Sequence, residues 1–317
     1  MRIVVTGGAG FIGANLCRAL VPHHEVVVLD DLSTGRLSNL AGMDITLRVA
    51  SVLDVGAVRA VCHGAAAIVH LAAVPSVPRS IVNPRRSHDT NVTGTLTVLD
   101  VARETGAHVV LASSSAVYGS NEKMPKTEDM ACRPTSPYGV TKLAAESYAS
   151  AYRTSYGLDT IAFRFFNVFG PLQAPDHAYA AVVPAFLLAA LHDVPITIDG
   201  DGDQSRDFTF VDSVVRVLAE AVTRRLTSTT PVNLAFGTRT TLNEVVAMLS
   251  ELLGRRLDVA HRPARVGDIR HSQACPAALH TLFPDVSAVP LRAGLLRTLS
   301  WLESQPATLG TTAEVPA

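Results

Sequence analysis

The chain has 317 residues, of which 48% are hydrophobic and 17% charged, and 27 basic against 28 acidic side chains leave a net charge of −1. A chain of this length and apolarity is not disordered and buries a sizeable core, as one large α/β domain or two modest ones. The balanced charge, with no basic stretch, argues against nucleic acid as a partner, and the longest apolar run, 179–191, is too short for a bilayer and interrupted by Pro184. The chain opens as a strand, Arg2-Ile3-Val4-Val5, rather than as a leader. Cys17, Cys62, Cys132 and Cys275 form no CxxC pair, which suits reduced, buried thiols and a cytoplasmic protein.

In chain order, β-branched runs at 3–6, 25–29, 45–49, 67–71, 109–112 and 160–166 read as strands. Amphipathic stretches at 12–20, 55–62, 94–105 and 138–156 read as the helices between them. Near-continuous apolar strands alternating with helices indicate a parallel sheet covered on both faces. After Gly170 the pattern loosens, with Pro171, Pro175, Pro184 and Pro195 and an Asp199-Gly200-Asp201-Gly202 turn. A strand at 232–235 and a helix at 242–253 follow, and beyond Trp301 no periodicity remains. The expected fold is an α/β, Rossmann-type doubly wound sheet over 1–171, with the chain returning to it near 207–240. Residues 172–317 then form mainly a smaller α/β substrate region, with a loose tail after about 302.

Three segments carry chemistry. Thr6-Gly7-Gly8-Ala9-Gly10-Phe11-Ile12-Gly13 joins the first strand to the first helix. Gly7, Gly10 and Gly13 permit a tight turn, close approach of a pyrophosphate and close helix–strand packing, with the phosphates at the helix N-terminus. Asp30 ends the second strand, followed by Asp31 and then Ser33-Thr34-Gly35. A carboxylate there accepts from ribose hydroxyls and repels a 2′-phosphate, so NAD rather than NADP is the expected cofactor. Tyr138 and Lys142 stand four apart at the start of a helix, one turn apart on one face. The ammonium, like an adjacent oxidised nicotinamide, favours the phenolate and lowers the tyrosine pKa toward that of a general base. Alone, such a pair is ordinary on a helix surface. Its weight comes from Ser113-Ser114-Ser115-Ala116-Val117-Tyr118-Gly119 at a strand's C-terminal end, where open α/β sheets bind ligands.

These segments occur in order with His70-Leu71-Ala72-Ala73, Asn91-Val92-Thr93-Gly94-Thr95 and Arg164-Phe165-Phe166-Asn167-Val168-Phe169-Gly170-Pro171. The set resembles the extended short-chain dehydrogenase/reductase family, especially its NAD-dependent nucleotide-sugar 4-epimerases, over residues 1 to about 272. The resemblance implies that Tyr138 takes the proton of the sugar 4-hydroxyl, that Ser114 shares the hydrogen bond to O4, and that Lys142 holds the nicotinamide ribose. Gly7, Gly10, Phe11, Ile12, Gly13, Asp30, Asp31, Ser33, Thr34, Gly35, Ser51, Val52, Leu71, Ala72, Ala73 and Phe165 are implied around NAD. On the substrate side it implies Ser76, Ser115, Asn167, Gln173, Ala181, Val182 and Thr197. Arg206 and Arg265 would clamp the diphosphate of a UDP-sugar, Asp268 would accept from the nucleotide ribose, and Ser272 would gate the sugar.

Relatives that dehydrate or decarboxylate sugars carry an acid between the serine and Val-Tyr-Gly. Ser115 and Ala116 supply none, which favours epimerisation. The small Ser272 and the 180–184 segment after Gln173 resemble the N-acetylhexosamine branch, with uronic acid epimerases ranked next. Pro75, Thr197 and Ser51-Val52 depart from the family pattern, and their consequence falls on affinity and substrate choice. A non-enzymatic NAD sensor would have no need of Ser114, Tyr138 and Lys142. The family commonly dimerises through two helices per subunit. Those at 94–105 and 138–156 correspond, with Ala144, Ala145, Ala149 and Ala151 permitting close approach. The histidines show no metal-ligand spacing, and His70 reads as structural.

Overall fold

The computed structural model describes residues 1–174, 181–264 and 269–305. Its strands are β1 (Arg2–Thr6), β2 (Glu25–Asp30), β3 (Thr46–Val49), β4 (Ala67–His70), β5 (His108–Ser114), β6 (Thr160–Phe165), β7 (Asn167–Phe169), β8 (Ile196–Asp199), β9 (Ser205–Arg206), β10 (Phe208–Phe210), β11 (Val232–Leu234), β12 (Thr240–Thr241) and β13 (Val259–Arg262). The helices are α1 (Phe11–Leu20), α2 (Val55–Cys62), α3 (Val77–Val82), α4 (Pro84–His88), α5 (Gly94–Thr105), α6 (Pro137–Tyr156), α7 (Val182–Leu191), α8 (Val211–Thr223), α9 (Leu242–Leu253), α10 (Ala277–Leu282) and α11 (Leu291–Glu303).

Seven strands form one parallel sheet in the order β11-β6-β5-β4-β1-β2-β3. The strands are apolar on both faces because both are covered. Ile3 and Val5 of β1 join Val26 and Val28 of β2 in the core under α1 and α8. Val4, Val27 and Ile68 point the other way, into the core under α2 and α5. This alternation follows from the two-residue period of a strand. Strand order reverses between β1 and β4, so the crevice for a ligand opens at their C-terminal ends. The remaining strands pair two by two: β7 with β10, β9 with β12 and β8 with β13.

α6 begins cleanly. The Ser136 side chain caps it by accepting from the Gly139 N–H, Pro137 occupies its first turn, and Gly157 ends it at φ +67°. Ala145 and Ala149 face inward and pack on Leu111 and Ala162. They serve the helix–sheet contact, which corrects the expectation that they lie on an outer face.

The C-terminal part is more regular than its composition suggests. Pro184 does not break the apolar run, because it sits in the first turn of α7, where its missing N–H has no intrahelical partner to lose. α8 carries an amphipathic pattern (Val211, Val214, Val215, Leu218, Ala221, Val222 buried) that the sequence reading passed over. The chain stays helical to Glu303 and is described to residue 305, and the tail expected to be loose after about 302 lies almost wholly outside the described residues. No helix among the described residues is long and apolar enough to cross a membrane.

Candidate active site

A cavity of about 730 Å³ runs along the C-terminal ends of β2, β1, β4, β5 and β6. At its β1 end the glycine turn leaves no room for side chains. A Cβ on Gly7 would stand 2.7 Å from the Ala72 nitrogen, and one on Gly13 would stand 2.2 Å from the Gly7 carbonyl oxygen. α1 starts at Gly10 without a side-chain cap, so the N–H groups of its first turn have no side-chain partner. Asp30 is buried beside this turn, where Oδ2 accepts from the Ala9 N–H at 2.9 Å and Oδ1 from the Leu32 N–H at 2.8 Å. Burial pushes its pKa up, against the pull of those two hydrogen bonds.

At the β5 end, Ser114 closes the strand with its Oγ accepting from the Ala116 N–H at 3.2 Å. Tyr138 lies in the first turn of α6, its N–H donating to Ser80 Oγ at 3.0 Å. Lys142 is one turn on, with Nζ donating to the Ala112 carbonyl at 2.8 Å and lying 6.0 Å from the Tyr138 ring centroid. A single π-helical turn at 89–93 sits between α4 and α5. Its Asn91 accepts from the Val74 N–H and donates to Thr141, which ties the loop after β4 to α6.

The electrostatics depart from the simple expectation for a Tyr/Lys pair. Burial pushes the Tyr138 phenol above its ordinary value, and a hydrogen bond with Ser114 only partly offsets this. Burial also lowers Lys142 to about 8, against the attraction of Glu146. Desolvation therefore disfavours both the phenolate and the ammonium in the protein alone. His70 is buried between Thr6 and Thr95 and pushed down to about 3 by burial and by Lys142, which keeps it a neutral structural link.

The sequence model described as the NAD dependent epimerase/dehydratase family matches residues 3–235. The chain belongs to this family. It is 34% identical to the UDP-glucose 4-epimerase of Mycolicibacterium smegmatis, over 96% of this chain and 99% of that one. A UDP-N-acetylglucosamine 4-epimerase from Methanobrevibacter ruminantium, solved with UDP-N-acetylmuramic acid, superposes with a TM-score of 0.92 at 34% identity, covering 96% of this chain and 99% of that one. A dTDP-glucose 4,6-dehydratase from Streptomyces venezuelae, solved with NAD, superposes at 0.87 with 31% identity over 96% and 97% of the two chains. Similarity of this order spans more than one reaction, so the choice among them rests on the site.

Within this epimerase/dehydratase site, the cavity wall gathers Gly7, Gly10, Phe11, Ile12, Gly13, Asp30, Asp31, Ser33, Thr34, Val52, Leu71, Ala72, Ala73, Ser76, Ser114, Tyr138, Lys142, Phe165, Gln173 and Ala181. Gly35 lies just behind, where a Cβ would press on Ala9 and Asp30. Ser51, Ser115, Asn167, Val182, Thr197, Arg206 and Ser272 are not on that wall. Ser51 caps its own turn by accepting from the Leu53 N–H, and Asn167 pairs with Phe208 in the β7–β10 ladder. Ser115 opens the 3₁₀ turn at 115–117, and Val182 opens α7. Thr197 is exposed on β8 opposite Ala260. Arg206 donates to the carbonyls of Ser205 and Arg270, and Ser272 donates its N–H to Ser205. Arg265 and Asp268 lie outside the described residues.

The sequence reading missed Arg36, Asn39, Arg79, Arg86, Thr90, Trp301 and Gln305 as wall residues. A signal existed for Trp301 alone: the chain's single tryptophan ends an amphipathic stretch, although nothing local says what it packs against.

Proposed function

We propose that the chain is an NAD-dependent 4-epimerase of a UDP-sugar, with UDP-GlcNAc and UDP-GalNAc as its preferred pair. The observation that carries this reading is the convergence of Ser114, Tyr138 and Lys142 on one cavity with the glycine turn. Among the described residues the only carboxylates on the wall are Asp30 and Asp31. They stand at the end of β2, three strand spacings from β5, or about 14 Å at ~4.8 Å per spacing. Elimination or decarboxylation would need an acid or base beside Tyr138, whereas proton exchange at O4 needs only the tyrosine.

The residues fit NAD. The uncapped start of α1 and the Gly7–Gly13 turn suit the pyrophosphate, and Asp30, with Asp31, Ser33, Thr34 and Gly35 around it, suits the adenosine ribose. Ser51 and Val52 would flank adenine, while Leu71, Ala72, Ala73, Phe165 and Lys142 would hold the nicotinamide end. When bound, NAD supplies a reversible two-electron acceptor for the C4 hydrogen and a cationic ring beside Tyr138. Tyr138 then takes the O4 proton as C4 is oxidised and returns it as C4 is reduced on its other face. Ser114 donates to O4 throughout, and Lys142 keeps the phenolate accessible.

Gln173 and Ala181, a small residue, border the cavity and support a sugar with an N-acetyl group. A UDP-glucuronate reading is favoured by Arg79 and Arg86, which reach the same wall and have no ion pair or side-chain hydrogen bond among the described residues. Arg206, with Arg265, would bind the diphosphate, Asp268 the nucleotide ribose, and Ser76, Ser115, Asn167, Val182, Thr197 and Ser272 the remainder of the substrate. Assembly as a homodimer would use the outer faces of α5 and α6, where Val140 is 53% and Tyr148 39% exposed. Sedimentation at micromolar concentration tests the dimer.

Incubation with UDP-GlcNAc, UDP-glucose and UDP-glucuronate without added cofactor, read by NMR at C4, tests the reaction. Inversion at C4 with no change of mass is the expected result. Loss of water or carbon dioxide would replace this reading with a lyase one. NAD binding without turnover of any of these sugars would mean either that the nucleotide is not UDP or that the protein is no epimerase.

A further inference from the structure

Behind the cavity lies a buried ion pair that the scheme above does not use. Glu146, one turn beyond Lys142 on α6, and Arg164 on β6 are each 4% exposed at the side chain. The guanidinium grips the carboxylate twice, Nε to Oε1 at 2.9 Å and Nη2 to Oε2 at 3.0 Å. Ser113 Oγ donates to the same Oε1 at 2.5 Å. Arg164 completes its donor set on the Tyr118 hydroxyl, the Glu128 carbonyl and Cys132 Sγ. For folding alone, a buried pair of this kind offers little over apolar residues of equal volume.

Its place is what matters. Ser113 sits between Ala112, whose carbonyl receives Lys142, and Ser114 at the strand end. Tyr138, Lys142 and Glu146 follow one another at spacing four on one face of α6. We propose that Glu146 is a positioning residue for the reaction: through Ser113 it fixes the strand end that carries Ser114, and from behind it holds Lys142 in its charged form. This rests on the roles assigned above to Tyr138 and Lys142.

The charged and titratable groups around Lys142 are Tyr138 and Glu146 on α6, His70 on β4, Arg164 on β6, and Cys132 beside Arg164. His70 is neutral, and burial raises the Cys132 thiol above its ordinary value, so Glu146 is the one anion among them. Without it Lys142 loses an attraction, and Arg164 becomes an uncompensated buried cation. Both changes lower the proton affinity of Lys142.

The chain's lysines are Lys123, Lys126 and Lys142. Labelling them with 13C at Cε therefore gives three resonances, and Lys142→Arg identifies the one to follow. In Glu146→Gln the Lys142 midpoint is expected to fall by about one pH unit or more, the size set by a close opposite charge, with Lys123 unmoved. The alkaline limb of kcat should move with it, while KM stays within about twofold of its original value. An unchanged midpoint in the folded variant would overturn the proposal. Should that variant fail to fold, Glu146→Gln with Arg164→Gln removes both charges. A smaller fall is then expected, and a midpoint at or above the original is the overturning result. The resonance needs no turnover. Its outcome therefore stands even if no UDP-sugar reacts, a failure that would sink the 4-epimerase reading alone.

Discussion

Along the β1–β5 edge of the cavity, wall residues stand at strand ends or just after them: Gly7 at β1, Asp30 at β2, Leu71 at β4 and Ser114 at β5. Outside the wall, β8, β9, β12 and β13 form short two-stranded ladders that carry Thr197 and Arg206, and the hydrogen bonds around them tie Arg206 to Arg270 and Ser205 to Ser272. The first side is positioned by one continuous sheet. The second is positioned by pairings between segments far apart in the chain. A rigid sheet edge thus holds the cavity wall, and a set of small ladders holds the segments outside it. Relatives with different reactions superpose almost equally well on the whole chain.

Substitutions on the two sides should differ in kind as well as in size. Tyr138→Phe should lower kcat by about a thousandfold or more, the upper range for a general base, with melting temperature little changed. Substantial residual turnover would mean that the reaction end lies elsewhere. Gly13→Ala drives a Cβ against the Gly7 carbonyl and should cost about 1–3 kcal/mol in urea unfolding, as overpacking does, together with bound NAD. Gly200, in the other region, has φ +90° and ordinary contacts only, Ala264 at 3.6 Å and Gln204 at 3.9 Å, so an alanine there should cost about 1–2 kcal/mol of backbone strain and leave NAD in place. Equal loss of NAD in both would erase the contrast.

With Lys142 lowered to about 8, its ammonium is present below that pH and lost above it. Turnover should therefore fall as pH rises past 8, by about tenfold per unit well above the midpoint. A profile flat to pH 10 would show that the lysine's charge is unimportant. The smallest effect is expected from Arg206→Ala, with KM for a UDP-sugar raised by about tenfold, the value of one charged hydrogen bond, and kcat held. A drop in kcat with KM unchanged would instead place Arg206 on the reacting side.

The sheet and its first six strands were legible because their signal is local. β-branched runs, the glycine turn after β1, and Ser136 and Pro137 ahead of α6 each act within a few residues. The same locality explains the readings of Asp30, Ser114, Tyr138 and Lys142, all of which sit at strand or helix ends. Pro184 misled because its effect depends on its position within the helix, and in the first turn of α7 a missing N–H costs no intrahelical bond. Ala145 and Ala149 misled because small residues on a helix suit a sheet as well as a second helix.

The sequence by itself determined the reaction end: which residue types stand at which strand ends, and hence a dinucleotide turn, a Ser/Tyr/Lys set and no carboxylate between Ser114 and Tyr118. Only the tertiary structure decided that Arg79, Arg86 and Trp301 share that cavity, that Thr197 stays outside its wall, and that Glu146 meets Arg164 behind Lys142. The physical reason is range. Strand-end chemistry is set by neighbours in sequence, whereas the cavity wall and the charges behind it come from residues tens to hundreds of positions apart, brought together by packing the helices onto the sheet.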